Sequence, residues 1–383
     1  MSQGTKRVRG FAPGRVEVAG NHCDHQHGCI VAGAVALGVS AQAHPNGTDF
    51  VHVESAGYDP FAVRLDDLGV READRNLPIA LVRGVLDAFS QRDVPLGGFD
   101  VQFTSTVPGG SGLSSSAAFE LAVAVVVNTM FAEGKFNAIE LAKIGKYAEC
   151  EHFGKPCGLM DQIASACGGI VEVDFRNPDD PIVRPVDFDF SESGYALCLV
   201  DTQCEHSQFN DEFATIPNEM HAVARFFGEE GLRRVPVDAF WSNLNLVRES
   251  LGDRAALRAM HFFTETKSVE RRAQALREGD MDTFLRLTNE SGISSAEYLQ
   301  NMWVPGAYQP AMVTLAVVRR ALGGEGAARI HGGGYGGCIQ AFVPTERFEA
   351  FRMEVEGILG SGICRMLTLG HPGAHAWWEE EEL

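Results

Sequence analysis

Pro108-Gly109-Gly110-Ser111-Gly112-Leu113-Ser114-Ser115-Ser116-Ala117-Ala118 is the stretch on which the fold turns. Its three glycines expose backbone N–H groups and let a ligand approach closely. The serines can cap a following helix, whose N-terminus carries a partial positive charge. Together these features make a site for an anion, well suited to phosphates. The loop is not a Walker A sequence, because no lysine follows a glycine at the required place. A plain capped turn ahead of a core helix is the reading that local physics leaves beside it. The helix is expected to run from about residue 114 to 131. Ahead of the loop, residues 99–104 (Phe-Asp-Val-Gln-Phe-Thr) alternate apolar and polar like a half-buried strand.

Working outward, residues 8–11, 31–43 and 50–54 are rich in Val and small side chains and are expected as strands. Residues 77–92 and 138–153 are expected as helices, and 169–175 and 195–201 as strands. From about 209 to 322 the pattern is mostly helical, and an apolar strand-like run follows at 338–343. Strands and helices mixed first, then helices, then strands, point to an α+β chain rather than a strictly alternating parallel one. Two domains are expected, 1–194 and 195–383.

Three further segments concentrate chemistry. Between Phe11 and Gly28, Arg15, Asn21, His22, Asp24, His25 and His27 crowd polar groups between apolar runs. The histidine spacing matches no standard zinc site, and hydrogen bonding to a polyol is an equally good use of these groups. In Glu149-Cys150-Glu151-His152-Phe153-Gly154-Lys155-Pro156-Cys157-Gly158-Leu159-Met160-Asp161-Gln162, a helix ends at Gly154 and a loop presents Asp161 among apolar neighbours. Such a carboxylate can orient or deprotonate a hydroxyl nucleophile, or simply cap the next helix. Gly332, Gly334 and Gly337 match GxGxxG literally. They open a strand-like run rather than a helix, so a dinucleotide fingerprint is rejected. A ligand-facing loop and a tight turn both remain.

Of the 383 residues, 45% are hydrophobic and 22% charged, ordinary values for a globular protein, and the net charge is −19. That charge argues against binding nucleic acid or an anionic membrane. Lys6, Arg7 and Arg9 precede no apolar stretch, so no signal peptide is expected. The longest apolar run, near 121–130, is too short to span a bilayer. A cytoplasmic protein with reduced thiols is expected. The nine cysteines include no CxxC pair, which argues against a zinc site or a dithiol redox centre and for buried thiols acting as small hydrophobes. The run Glu379–Glu382 is expected as a solvated tail.

In this order, the four segments resemble the GHMP kinase superfamily (galactokinase, homoserine, mevalonate and phosphomevalonate kinases). Gly14-Arg15-Val16 through Gly20-Asn21-His22-Cys23-Asp24 is similar to the galactokinase signature, typically GRVNLIGEHTDY. Residues 108–118 resemble the phosphate loop, Gly158-Leu159-Met160-Asp161-Gln162 the segment carrying the catalytic aspartate, and 331–338 the third motif.

The resemblance implies a ribosomal protein S5 domain 2-like N-terminal domain and a ferredoxin-like C-terminal domain, with the active site in the cleft between them. It implies transfer of a phosphoryl group from ATP, with Mg²⁺, to the anomeric hydroxyl of galactose or a related monosaccharide. By position, Asp161 is implied as base or orienter and Arg15 as the arginine at the transferring phosphoryl group. Pro108, Gly109, Gly110, Ser111, Gly112, Leu113, Ser114 and Ser115 are implied as the triphosphate cradle, and Ser116 and Glu149 as the Mg²⁺ contacts. Asn21, His22, Asp24, Gly158, Asp161 and Phe213 are implied at the sugar. A monomer or weak homo-oligomer is expected.

Two sugar contacts depart from the family pattern. Asn21 stands where galactokinases have a glutamate that accepts from the sugar's primary hydroxyl. Phe213 stands where a tyrosine is expected, removing a hydroxyl. His25 also replaces a tyrosine. These changes leave open a sugar other than galactose, such as a uronic acid, a pentose or an amino sugar. They also predict that Asn21→Glu shifts preference toward galactose. A non-catalytic sugar and nucleotide sensor is the further alternative, against which Arg15, Asp161, Glu149 and the phosphate loop all count.

Overall fold

Two sheets organise the chain in the computed structural model, which describes residues 6–109, 112–204 and 209–380. The first comprises β1 (Lys6–Ala19), β2 (Cys29–Pro45), β3 (Phe50–Ser55), β4 (Phe61–Arg64), β5 (Phe99–Ser105), β6 (Ile170–Asp174), β7 (Ile182–Pro185) and β12 (His375–Glu380). Its order is β12-β1-β2-β5-β3-β4, with β6 pairing a further stretch of β2 and β7 pairing β6. Among the described residues only β3 and β5 pair in parallel. The second sheet has the order β11-β8-β10-β9, from β8 (Tyr195–Asp201), β9 (Ala327–Ile330), β10 (Cys338–Pro344) and β11 (Cys364–Leu367). This is the α+β architecture expected from the order of elements.

The helix opened by the glycine loop spans Ser115–Phe131 and is buried almost all round, from Ala117 and Ala118 through Val127. A helix without a polar face belongs in the interior. It lies against β1 and β2, where Gly10 admits the Val126 side chain. The next helix, Ala138–Tyr147, starts at a full capping box between Asn137 and Glu140. It continues through one π turn, Ala148–Phe153, which ends at Gly154 in the left-handed region.

The period-2 rule is visible in the second sheet. Leu197 and Leu199 of β8 face a core shared with Val16, Val31 and Val35 of the first sheet, while Cys198 and Val200 face helices Pro310–Leu322 and Phe348–Leu359. Buried polar links accompany the shared core. Arg329 of β9 donates to the carbonyl and the carboxylate of Glu17 on β1, and Gln340 of β10 donates to the same carbonyl. The long helix Asp253–Glu278 sends Glu265 to the Gly20 amide and His261 to the Asn21 carbonyl.

One expectation fails in the C-terminal segment. Of the run Glu379–Glu382 expected as a solvated tail, Glu379 and Glu380 belong to an edge strand, while Glu381 and Glu382 lie outside the described residues. β12 pairs antiparallel with β1, and Glu379 accepts from both Arg7 and Arg9. The glutamates meet the basic residues of the N-terminal strand, so opposite charges on neighbouring strands complete the pairing. Among the described residues no helix is long and apolar enough to cross a membrane.

Candidate active site

β1 carries Arg15 beside the glycine loop, and the Arg15 amide donates to the Leu113 carbonyl at 3.0 Å. The Arg15 guanidinium is nearly buried. Nε and Nη2 each meet one carboxylate oxygen of Asp161 at 2.7 Å, and Nη1 donates to the Gly112 carbonyl. The Ser114 hydroxyl donates to the same carboxylate at 2.7 Å. Burial works to raise the Asp161 pKa, but the Arg15 charge, the Arg15 hydrogen bonds and Ser114 outweigh it. The carboxyl is held below its ordinary value. Asp161 lies in the first turn of helix Met160–Cys167, whose N-cap is Leu159, so the capping alternative is not realised.

The loop differs from the plain capped turn that stood as the alternative reading. Ser114 is the N-cap residue with φ 56°, and its side chain makes no capping bond because the hydroxyl is taken by Asp161. The first-turn N–H groups of Ser115–Phe131 therefore keep no serine cap from that position, which suits a helix end that meets an anion. Gly112 sits at φ +71°, and a Cβ there would crowd the His331 ring. The His331 ring nitrogen Nε2 lies 3.2 Å from the Gly112 carbonyl. The segment 331–338 thus braces the glycine loop. Pro108, Gly109, Leu113 and Ser115 lie in the described part of the loop, with Leu113 fully buried; Gly110 and Ser111 lie outside the described residues.

The structure brings Ser116 and Glu149 together, the Ser116 hydroxyl donating to Glu149 Oε1 at 3.0 Å. Lys155 Nζ lies 2.8 Å from the same oxygen, and Gln162 holds Oε2 at 2.8 Å while also reaching Glu120. Burial, and then the Glu149 charge, push the Glu120 pKa well above its ordinary value. Lys155, Gln162 and Glu120 were not singled out from sequence. No short-range pattern ties them to Glu149, and only the reversal at Gly154 brings Lys155 back over the carboxylate.

Arg15, His22, Asp24, Lys155, Gly158, Asp161 and Phe213 line one cavity of about 480 Å³. Burial, followed by the nearby charges of Asp161 and Glu17, raises Asp24 to about 6. Burial lowers His22 to about 4, so its ring is neutral at pH 7. The two ring nitrogens of His22 lie near the Gly333 carbonyl at 2.9 Å and His25 Nε2 at 3.1 Å. Gly158 packs directly on the Asp24 carboxylate, and Gly333 packs on the Phe213 ring; a Cβ at either glycine would collide. No group of three or more His, Cys, Asp or Glu poised for a metal occurs among the described residues.

Asn21 is placed differently from the expectation. It is fully buried and does not line the cavity. Its amide nitrogen donates to the Gly332 carbonyl and approaches Glu17, and its oxygen accepts from Asn301 at 2.9 Å. The amide is needed because it must donate and accept at once, which a carboxylate cannot do. Gly332–Gly337 joins β9 to the antiparallel β10 and opens no helix, in keeping with the rejected dinucleotide reading.

The family profile described as GHMP kinases N terminal domain matches residues 80–169, and the galactokinase galactose-binding signature matches residues 3–45. The chain is 31% identical over 353 residues to a galactokinase of Glaesserella parasuis serovar 5 (strain SH0165), covering 89% of this chain and 86% of that protein. It is 32% identical over 349 residues to a galactokinase of Streptomyces coelicolor (strain ATCC BAA-471 / A3(2) / M145), covering 90% and 87%. Among solved structures, Lactococcus lactis galactokinase complexed with galactose superposes with a TM-score of 0.83 at 22% identity, covering 96% of this chain and 94% of that one. A D-glycero-D-manno-heptose 1-phosphate kinase superposes with a TM-score of 0.66 at 17% identity, covering 97% and 98%.

Proposed function

The chain belongs to the galactokinase family of sugar kinases, and from that premise we propose that it transfers the γ-phosphoryl group of ATP to the anomeric hydroxyl of galactose. The observation that carries this reading is the two-point pair of Arg15 with Asp161, flanked by Gly112 and Ser114 of the glycine loop and opening on the 480 Å³ cavity.

The roles follow from the geometry. The sugar sits in the cavity, with Asp24 accepting from its hydroxyls and the neutral His22 ring, both of whose nitrogens are held by Gly333 and His25, forming part of the wall. Gly158 has no side chain, so the chain approaches the sugar and Asp24 closely. The anomeric hydroxyl meets Asp161, which accepts its hydrogen bond and takes the proton as the oxygen bonds to phosphorus. Because Arg15 holds Asp161 ionised, its contribution is orientation together with proton acceptance late in the transfer. Arg15 faces the charge that develops on the transferring group. The loop amides and the start of helix Ser115–Phe131 hold the phosphates of ATP against the protein's overall negative charge. Phosphoryl transfer asks mainly for this positioning and charge stabilisation.

Ser116 and Glu149 fit a Mg²⁺ bound together with nucleotide phosphates: one hydroxyl and one carboxylate, 3.0 Å apart, are the sparse oxygen set such an ion takes. When bound, that ion neutralises phosphate charge. Lys155 then serves as the cation that Glu149 keeps before the nucleotide arrives.

A kinase for a different monosaccharide is the second reading, favoured by Phe213, which brings a ring without a hydroxyl to the cavity wall. We further propose two domains divided at 194–195, with β12 crossing back to pair with β1 in the first sheet. Phosphorylation measured over galactose, galacturonic acid, arabinose and galactosamine tests the assignment. Galactose is expected to give the highest kcat/KM. A higher value for another sugar replaces it with the second reading, and no turnover on any sugar refutes both.

A further inference from the structure

Cys150 and Cys157 have no place in the chemistry above, yet their sulfurs lie 3.6 Å apart. The contact comes from the backbone. The π turn Ala148–Phe153 carries Cys150, Gly154 at φ +84° ends it, and the Lys155 amide closes the turn on the Glu149 carbonyl at 3.1 Å. Two residues later the chain has reversed, and Cys157 lies over Cys150, with the Cys150 sulfur also 3.9 Å from the Cys157 carbonyl. Both residues are half-buried, and Cys157 lines the cavity, so small solutes in the cavity reach the pair. By contrast Cys23, Cys29, Cys198 and Cys338 are buried. The spacing of six intervening residues matches no redox motif, and for that reason the sequence argued against a dithiol.

We propose that Cys150 and Cys157 form a reversible disulfide under peroxide and that this bond switches the kinase off. The chemistry balances without a cofactor. One thiol reduces hydrogen peroxide and becomes a sulfenic acid with release of water. The second thiol then displaces hydroxide from that sulfur, leaving as water with its proton, so two thiols lose two electrons and two protons in all. A disulfide is about 2.05 Å long, so closure draws the sulfurs together by about 1.5 Å. The short segment that must move carries Lys155, which holds Glu149, and Gly158, which packs on Asp24. Displacements of about 1 Å in positioning groups can cost about 100-fold in turnover. The loss of turnover rests on the sugar-kinase reading; formation of the bond does not.

The full-length protein, treated with hydrogen peroxide and alkylated, is expected to lose two hydrogens between Cys150 and Cys157, seen in the mass spectrum as a peptide that yields no fragments between those positions. Sugar phosphorylation is expected to fall about tenfold or more in parallel and to return with dithiothreitol. Cys150→Ser is expected to keep its basal turnover and lose the peroxide response, and Cys150→Ala serves if the serine variant is unstable. Peroxide that oxidises other cysteines but leaves this pair unlinked overturns the proposal, and so does a linked pair with unchanged turnover. An untreated protein that phosphorylates no sugar refutes the kinase reading instead, while the mass measurement still decides whether the pair links.

Discussion

Arg15 and Asp161 stand 146 residues apart in the chain, yet Nε and Nη2 of the arginine each meet one carboxylate oxygen of the aspartate at 2.7 Å. A bidentate pair fixes orientation as well as charge. It also joins β1 to the helix Met160–Cys167, and Ser114 joins both to the glycine loop.

Asp161→Asn keeps the shape and removes the charge. Turnover is expected to fall about 10²–10⁴-fold, while the sugar dissociation constant measured by calorimetry changes little. The sign of the stability effect follows from the lowered pKa. The ionised carboxylate contributes stability above the ordinary carboxylate range, and that contribution is lost as pH falls through the depressed folded value. Wild type should therefore lose stability relative to the Asn variant only at strongly acid pH. A variant with near-wild-type turnover would remove Asp161 from the reaction.

Asp24 titrates in the opposite sense. Burial raises it to about 6, so the folded state takes up a proton that the unfolded chain, at an ordinary 3.8, does not. Below about pH 6 the carboxylate loses acceptor capacity, and kcat/KM for the sugar is expected to decline on that limb. Asp24→Asn should lower the plateau, abolish this limb and raise the melting temperature at pH 7, since a buried charge is removed. The pH–rate profiles of the two proteins decide the point; an acid limb that persists in Asp24→Asn assigns it to another group.

At Gly158 a methyl group would strike the Asp24 carboxylate. Gly158→Ala is expected to raise KM for the sugar about tenfold or more with little change in KM for ATP, because only the sugar end of the site is displaced. Steady-state kinetics varying each substrate in turn provide the check. A matching rise in both KM values would mean that the whole loop, rather than Asp24, had moved.

Asn21→Asp retains volume but cannot donate to Gly332, and it adds a carboxylate beside Glu17. A loss of about 3 kcal/mol is expected at pH 7, shrinking as pH falls and the new group takes up a proton. Asn21→Glu should destabilise further by its added length instead of shifting preference toward galactose. Thermal melts together with the sugar panel test this. An intact melting temperature with improved galactose turnover would return Asn21 to the sugar.

Much of this protein was legible in its sequence because the signals are local. Three glycines ahead of an apolar run announce a loop and a buried helix, since backbone freedom and side-chain periodicity act within a few residues. The alternation in residues 99–104 likewise announced a strand. Four such segments in a fixed order pointed to the family and carried Arg15, Asp24, Gly158 and Asp161, which the fold gathers around one cavity together with Phe213 from a separate stretch.

What the sequence by itself determined is therefore the list of local elements and the residue types available to the site. Tertiary structure alone decided that Asn21 is sealed inside by Gly332 and Asn301, that Ser114 serves Asp161 rather than its own helix, that Glu379 completes a sheet with Arg7 and Arg9, and that Cys150 meets Cys157. Each depends on where a second segment comes to rest. That is set by how the chain packs its core and satisfies its buried polar groups, and neither property belongs to a short window of residues.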